Sequence, residues 1–528
     1  MIDVSIVLIT YNDAARLPRA LASLQRQTLR NLEIIVVDDA STDATQGLVL
    51  EAAASDSRIR YVRLAENSGG CSAPRNRGMS EAVGTWLMFC DSDDEFDRHA
   101  AKNLLRAVEA ADADLGCGVA ERIDVRTRKV KRWKEELHER GVLASISERP
   151  DLIADTVSVN KIYRHEWLVD SGMTFPEGIL YEDQLFTMKA YAEARRIAVI
   201  SETVYLWYVD KAGSELSITQ RRNEIRNARS RVEVNRLIDE YLQAHGDPDL
   251  ARVNAQKFLA HDLYLYLAAM LEMDDADATA IADVLRPYVE SVDLAQAAAQ
   301  RPALRVATYH LLVGDLAGLR RAMRFIRWSA VVDAPVVVRP TGVFWGCAYL
   351  DGGPSFQGLG PEWWLDVTSL HLDRFQVSQR RWCHRLDVLA AGGRRLSVAG
   401  RTTDAFGDFG RASAVEFVLV LGGQVVASMP LALERGTADD SSEVAPEWAW
   451  HSTGQRLAAV GDEFEDLSRG HFALRVTIDG VSNVIAVRAP ERAVPRVMLP
   501  GANPALGLRA YPGDHGVVRW QAGRNTRS

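Results

Sequence analysis

The chain has 528 residues, 47% of them hydrophobic and 25% charged, with 62 basic against 71 acidic side chains. That composition excludes disorder over most of the length, and the net charge of −9 argues against a nucleic-acid scaffold, so no nucleic-acid partner is expected. No run approaches the ~18 apolar residues of a membrane span, and the length suggests roughly three domains.

The start, MIDVSIVLITYNDAARL, has no basic region ahead of an apolar run, so no secretory signal is expected. Cysteines 71, 90, 117, 347 and 383 form no CxxC pair. A reducing cytosol is therefore expected rather than a disulfide scaffold or zinc ribbon.

Val4–Thr10 is a near-continuous β-branched run, as for a strand buried on both faces. Ala14–Gln27 carries a helical stripe of Leu17, Leu21 and Leu24. Glu33–Asp38 reads as a second buried strand, and Ser41, Thr42 and Asp43 as N-cap candidates for a helix to about Ala54. Tyr61–Leu64 is a third strand, Ser72–Val83 a helix and Thr85–Cys90 a fourth strand. Strands alternating with helices imply parallel crossovers and a doubly wound α/β sheet.

Residues 121–150 are highly charged and read as an exposed excursion before the chain returns at Val157–Tyr163. Residues 223–330 read as a helical linker region. From Val331 the texture changes to short apolar alternations punctuated by glycines, the pattern of an antiparallel β-sandwich region of one or two modules over 331–528. Its aromatics, among them Phe344, Trp345, Trp363, Trp364, Trp382, Trp448 and Trp450, are expected mostly in the sandwich core. In LRRAMRFIRW, Arg320, Arg324 and Arg327 share a helical face. A packed helix with arginines reaching solvent or a partner segment is preferred there over docking on an anionic membrane.

Doubly wound sheets bind ligands beyond the carboxyl ends of their strands. After the first strand comes Thr10-Tyr11-Asn12-Asp13, which is not GxGxxG, and no GxxxxGK[ST] exists anywhere. After the second comes Asp38-Asp39-Ala40-Ser41. After the third come Glu66-Asn67-Ser68-Gly69-Gly70 and Arg75-Asn76-Arg77, and after the fourth Asp91-Ser92-Asp93-Asp94. Three carboxylates within four residues repel one another at a buried strand end. A hard divalent cation bridging them to a diphosphate resolves that repulsion. The plainer alternative is an acidic loop capping the next helix.

Together, VSIVLITYN, LEIIVVDDAST, ENSGGCSAPRNRG and GTWLMFCDSDDEF resemble family-two glycosyltransferases of the GT-A fold, over about residues 1–220. The resemblance extends to Asn160-Lys161-Ile162-Tyr163, Tyr181-Glu182-Asp183 and Tyr205-Leu206-Trp207-Tyr208. Within that family the arrangement is similar to wall teichoic acid and other cell-envelope polymer glycosyltransferases. It implies a GT-A catalytic domain over 1–222, then the helical region 223–330, then the β-rich region 331–528, which would bind acceptor or assemble homo-oligomers.

The resemblance also implies roles. Asp39 would accept from the uracil ring of a UDP-sugar, with Thr10, Tyr11 and Asn12 framing the base. Asn67 would shape the loop, Arg75 would meet the diphosphate, and Asp91 and Ser92 would lie near the ribose or a metal-bound water. Asp93, with Asp210 as a second candidate, would hold Mn2+ or Mg2+. Asp183 would be the base of an inverting transfer, with Glu182 beside it, and a helix N-terminus there would tend to keep Asp183 ionised. The acceptor would be a polymer or lipid-linked glycan, and the location cytosolic, with contact at the inner face of the membrane. Gln220-Arg221-Arg222 lacks the tryptophan of processive relatives. Two rivals are a sugar-nucleotidyltransferase, which would want a basic Gly-rich loop after strand one, and a non-catalytic glycan-binding scaffold, which would lose the acidic clusters.

Overall fold

The computed structural model describes residues 2–210, 218, 221–327, 332, 334–376, 382–392, 395–407, 409–435, 447–455, 458–459, 469–487, 498–500, 506–512 and 518–524. Gln220, Trp328 and Val331 lie outside them. The chain forms two compact units: Met1–Phe258 with Asp283–Asp293, and Leu259–Ala282 with Leu294–Ser528.

In the first unit, β1 (Val4–Thr10) and β2 (Leu32–Asp38) are buried at every position, as their unbroken apolar runs require. Between them α1 (Leu17–Gln25) opens with Pro18 in its first turn and buries Leu17, Leu21 and Leu24. There follow α2 (Thr45–Ser55), β3 (Ile59–Arg63), α3 (Ser72–Glu81), β4 (Trp86–Asp91), β5 (Glu95–Phe96) and α4 (Ala100–Ala111). The unit continues with β6 (Leu115–Asp124), β7 (Val130–Trp133), β8 (Gly141–Leu143), β9 (Lys161–Arg164), α5 (His165–Asp170), α6 (Glu182–Glu193), β10 (Ile197–Val209), α7 (Ile225–His245) and α8 (Pro248–Lys257).

The sheet order is β3-β2-β1-β4-β9-β6-β10-β5, with β7 added to β6 and β8 to β10. Strands β1 to β4 run parallel, so their carboxyl ends share one edge: Thr10 pairs with Asp38, Asp38 with Arg63, and Ile9 with Asp91. The mixed character comes from β9, which runs antiparallel between β4 and β6.

Two local expectations change. The charged stretch 121–150 is not only an excursion, because β7 and β8 join the sheet from within it. Helix α2 is capped by Ala44 with no side-chain bond. Asp43 Oδ1 does accept from Thr45 N, the first residue of the helix, at 3.0 Å, but Ser41, Thr42 and Asp43 also tie the loop after β2 to the loop after β1: Asn12 N donates to Ser41 Oγ, Thr42 N to Asn12 Oδ1, and Ala14 N to Asp43 Oδ2. Cross-linking two strand ends satisfies more donors than one cap would.

The second unit begins helical and ends in antiparallel sheets. One sheet has four strands, between Cys383 and Gln455, and another has eight, between Ala414 and Arg524. Both supply the same core, in which Leu386, Leu396 and Trp450 of one join Phe417, Phe472 and Leu474 of the other. Trp345 and Trp364 are also fully buried. In the helix Leu316–Arg327, Arg320 donates to the carbonyls of Met270 and Met273, so it caps a neighbouring chain end.

Helix α3 reaches the sheet through Gly78, where a Cβ would meet Val7 Cγ1 at 2.2 Å. Alanine is the better helix former by about 1 kcal/mol, but Val7 is a β-branched residue locked in the sheet. We expect Gly78→Ala to destabilise the protein by about 1–3 kcal/mol in urea unfolding, and an unchanged midpoint would contradict this packing.

Candidate active site

Three clusters of side chains sit at the carboxyl edge of β1 to β4. The first is built on Asp39. Its buried carboxylate accepts from Asn67 Nδ2 (2.9 Å), Ser68 N (3.0 Å) and Ser68 Oγ (2.9 Å), and its own N–H donates to the carbonyl of Thr10. Asp39 therefore holds together the ends of three strands. Beside it Thr10 Oγ1 is buried without a partner among the described residues, Asn12 adopts φ +48°, and the Tyr11 ring is 47% exposed, open for stacking. Asp38, to which no role was given, is fully buried and bonded to Ser41 N, Tyr61 Oη and Arg63. Of the adjacent aspartates, one is an internal brace and the other faces the edge.

The second cluster is a buried charge group. Arg75, on α3, donates from Nη1 to Glu182 Oε1 at 2.6 Å and from Nη2 to Asp91 Oδ1 at 2.8 Å, and lies 5.3 Å from the centre of the Phe175 ring. Among the described residues its Nε has no hydrogen-bond partner. Glu182 and Asp183 open α6, as the sequence suggested. Burial, then the charge of Glu182, push the Asp183 carboxyl up to about 7. The helix N-terminus does not keep it strongly ionised, because burial and the adjacent Glu182 carboxylate outweigh the two nearby arginines, Arg75 and Arg231.

The third cluster is the acidic loop. Asp94 turns inward, accepting from Tyr205 Oη (2.8 Å) and Tyr208 N (2.7 Å) of β10, and burial holds its carboxyl well above the usual range. That leaves Asp91 and Asp93 at the edge. Burial and the charge of Asp91 push Asp93 up to about 6. Ser92 Oγ donates to Asp13 Oδ2 at 2.6 Å, Arg16 Nε to Asp13 Oδ1 at 2.6 Å, and Arg16 Nη1 lies 3.6 Å from Asp93 Oδ2. Arg19 donates to the Asp93 carbonyl and stacks 3.6 Å from the centre of the Tyr208 ring. Asp210 follows β10 two residues after the Asp94 contact and pairs with Arg126 at 3.3 Å.

Sequence reasoning missed Asp13, Arg16, Arg19 and Phe175. The only signal was the Asp13–Arg16 spacing of three at a helix start. A further group, Cys117, His138 and Asp155, brings three ligand-type atoms within 4.8 Å of one another. A cation is already there: Lys161 Nζ donates to Asp155 Oδ2 (2.8 Å), Val157 O (2.6 Å) and Asn160 Oδ1 (3.0 Å). Burial works against the Asp155 charge, yet Lys161 and His138 hold its carboxyl far below the usual range. This is an internal ion pair that joins β9 to the preceding loop.

Residues 5–171 match Glycosyl transferase family 2. This stretch is a family 2 glycosyl transferase domain. The chain is 30% identical over 312 residues to poly(ribitol-phosphate) beta-N-acetylglucosaminyltransferase TarS of Staphylococcus aureus (strain Mu50 / ATCC 700699), covering 58% of this chain and 53% of that one. It is 30% identical over 218 residues to poly(ribitol-phosphate) beta-glucosyltransferase of Bacillus spizizenii (strain ATCC 23059 / NRRL B-14472 / W23), covering 41% of this chain and 33% of the relative. The chain thus spans about half or less of the length of these curated relatives. The crystal structure of S. aureus TarS 1-349 in complex with UDP-GlcNAc superposes with a TM-score of 0.53 at 25% identity, covering 68% of this chain and 100% of that one. The sheet is therefore that of a GT-A-like fold.

Removing the Lys161 ammonium strands a buried carboxylate. We expect Lys161→Met to cost about 3–5 kcal/mol in chemical unfolding, whereas a metal site would be improved by losing that competing cation and would bind zinc in calorimetry.

Proposed function

We propose that this chain transfers a sugar from a UDP-sugar to a hydroxyl of a cell-envelope polymer or its lipid-linked precursor, with inversion at the anomeric carbon. One observation carries the reading: Arg75 ties Glu182 and Asp91 together beside a carboxyl, Asp183, whose proton affinity lies near neutrality. A general base works best with such a value. Both curated relatives are named as beta-transferases acting on poly(ribitol-phosphate), and the solved relative was crystallised with UDP-GlcNAc. A beta product from an alpha-linked donor requires inversion.

In the reaction, Asp183 takes the proton of the acceptor hydroxyl as that oxygen bonds to the anomeric carbon. The bond from that carbon to the diphosphate oxygen breaks, and UDP leaves with the electron pair. Asp39, with Asn67 and Ser68 fixing it, presents a carboxylate edge to the uracil, and Tyr11 offers its exposed face to the base. The unpartnered Arg75 Nε–H is a donor for the diphosphate or the sugar, whose arrival would complete the guanidinium's bonding. Asp93 and Asp210 would hold a divalent cation. The fit is chemical: their oxygens suit Mn2+ or Mg2+, and the charge of Asp91 beside Asp93 is a repulsion that a cation would relieve. When bound, that ion would neutralise charge on the leaving diphosphate.

The acceptor's charge has a counterpart too. Arg126, Arg128, Lys129, Lys131 and Arg132 are exposed on the β6–β7 hairpin, next to the end of β10, a basic arm suited to a phosphate-bearing polymer. We assign catalysis to 1–222 and propose that 331–528 binds acceptor or joins subunits. A nucleotide-sugar donor fits a cytosolic reaction, and among the described residues no helix is long and apolar enough to cross a membrane.

The test is UDP release from UDP-N-acetylglucosamine and UDP-glucose with poly(ribitol phosphate) and manganese. Asp183→Asn should lower transfer by about 10²–10⁴-fold while UDP affinity in calorimetry stays put. Asp39→Ala should weaken UDP binding about tenfold or more. Asp93→Asn should mimic a chelator. Full transfer by Asp183→Asn would refute the base, and full activity in metal-free buffer would refute the ion.

A further inference from the structure

Tyr181, the residue before the acidic pair, sits in the left-handed region at φ +68° and ψ 28°. For an aromatic residue that conformation is costly and persists only when its surroundings impose it. The surroundings here are two residues of α7, four apart and so on one face of the helix. The guanidinium of Arg231 lies 3.6 Å from the centre of the Tyr181 ring, and Tyr181 Oη donates to Asn227 Oδ1 at 2.9 Å. Both are buried, Asn227 fully. The Asn227 amide in turn donates to the carbonyl of Ile218 at 2.8 Å, in the segment that leads from Asp210 to α7. The Tyr181 carbonyl accepts from Gln184 N, so the turn is continuous with the first turn of α6.

We propose that Asn227 and Arg231 are positioning residues of the transfer reaction: by holding the left-handed turn at Tyr181 they set the direction of Asp183. The proposal rests on Asp183 being the base. Arg231 has a second effect through charge. The groups facing Asp183 are Glu182 from its own helix, Arg75 from α3, Asp91 from the end of β4, the Cys71 thiol ahead of α3, the Tyr163 hydroxyl from β9, and Arg231 from α7. Arg75 and Arg231 are the cations in that set, and both favour the ionised carboxylate. Removing the Arg231 charge therefore raises the proton affinity of Asp183. A base must be unprotonated to act, so the acidic limb of the transfer rate moves to higher pH.

The sequence alone carries little sign of this pair. Asn227 and Arg231 lie in NEIRNARSRVEV, a stretch rich in arginine that reads as a solvated helix. Their burial and their aim at Tyr181 separate them from the exposed Arg226 and Arg229 of the same helix.

The experiment uses the full chain, poly(ribitol phosphate) as acceptor, and whichever of UDP-N-acetylglucosamine and UDP-glucose the wild type turns over. Transfer is read as kcat and KM from about pH 5.5 to 9, with UDP affinity by calorimetry. Tyr181→Phe keeps the ring and removes the bond to Asn227. It should lower kcat about tenfold at unchanged UDP affinity, since a small misplacement of a catalytic group is enough. Arg231→Met should lower kcat most at low pH and recover partly at high pH, whereas Arg231→Lys, which keeps the charge, should restore the wild-type pH profile. Tyr181→Phe and Arg231→Met both showing wild-type kcat and an unshifted acidic limb would overturn the proposal. If Arg231→Met does not fold, Tyr181→Phe decides alone: an about tenfold lower kcat at unchanged UDP affinity supports the proposal, and wild-type kcat overturns it. Asp183→Asn run in parallel separates the two failures. An active Asp183→Asn, or a wild type inert toward both donors, overturns the assignment of the reaction and the relay with it. An inactive Asp183→Asn beside normal relay variants overturns the relay alone.

Discussion

One buried guanidinium organises the edge where β1 to β4 end. Arg75 is almost fully enclosed and bonds at once to Glu182 and Asp91, which come from separate parts of the chain. A lone buried carboxylate costs several kcal/mol, so Glu182, which is buried, depends on this partner, while the half-buried Asp91 shares it. Burial and the charge of Glu182 outweigh the nearby Arg75 and Arg231, so the third acid, Asp183, keeps its proton more readily than a carboxyl in water. At Asp93, too, burial and the charge of Asp91 outweigh the neighbouring Arg16. The site is thus held by the fold in an electrostatically incomplete state, which suits arrival of a diphosphate with its own counter-ion.

The rest of the first unit brings these charges together. Gly78 lets α3 lie against β1, which carries Arg75 to the end of β4. The loops after β1, β2 and β3 are laced by Asn12, Ser41, Asp39 and Asn67, so the nucleotide edge is preset. Side chains held by such cross-bonds lose little further freedom when a ligand binds. Tyr205 and Tyr208 of β10 draw Asp94 inward, which turns a run of acidic residues into a two-carboxylate edge.

Much of this was legible in the sequence, for physical reasons. Strands buried on both faces leave unbroken apolar runs, so β1, β2 and β4 and the polar clusters that follow them stood out. The placement of Glu182 and Asp183 at a helix start was legible because their helical pattern begins there. The antiparallel β9 was not, because pairing direction leaves no mark on a short apolar strand. Strands β7 and β8 were hidden because one face and one edge are solvated, so charged residues such as Lys131 and Arg132 suit them. The sequence also cannot say which of four neighbouring acids turns inward; Asp94 does so only because two tyrosines of β10, far along the chain, supply donors. Arg75 read as a phosphate ligand, while its bonds to Glu182 and Asp91 depend on contacts across 107 and 16 residues.

The central claim is that Asp183 is held near neutrality by burial and a shared counter-ion. The direct measurement is a carbon-13 titration of carboxyl-labelled aspartate in the ligand-free protein, with the Asp183 resonance identified by its loss in Asp183→Asn. The account predicts a midpoint far above the ordinary aspartate value of about 3.9, close to the value of about 7 that burial and Glu182 impose. A resonance that stays fully ionised down to about pH 5 would contradict it.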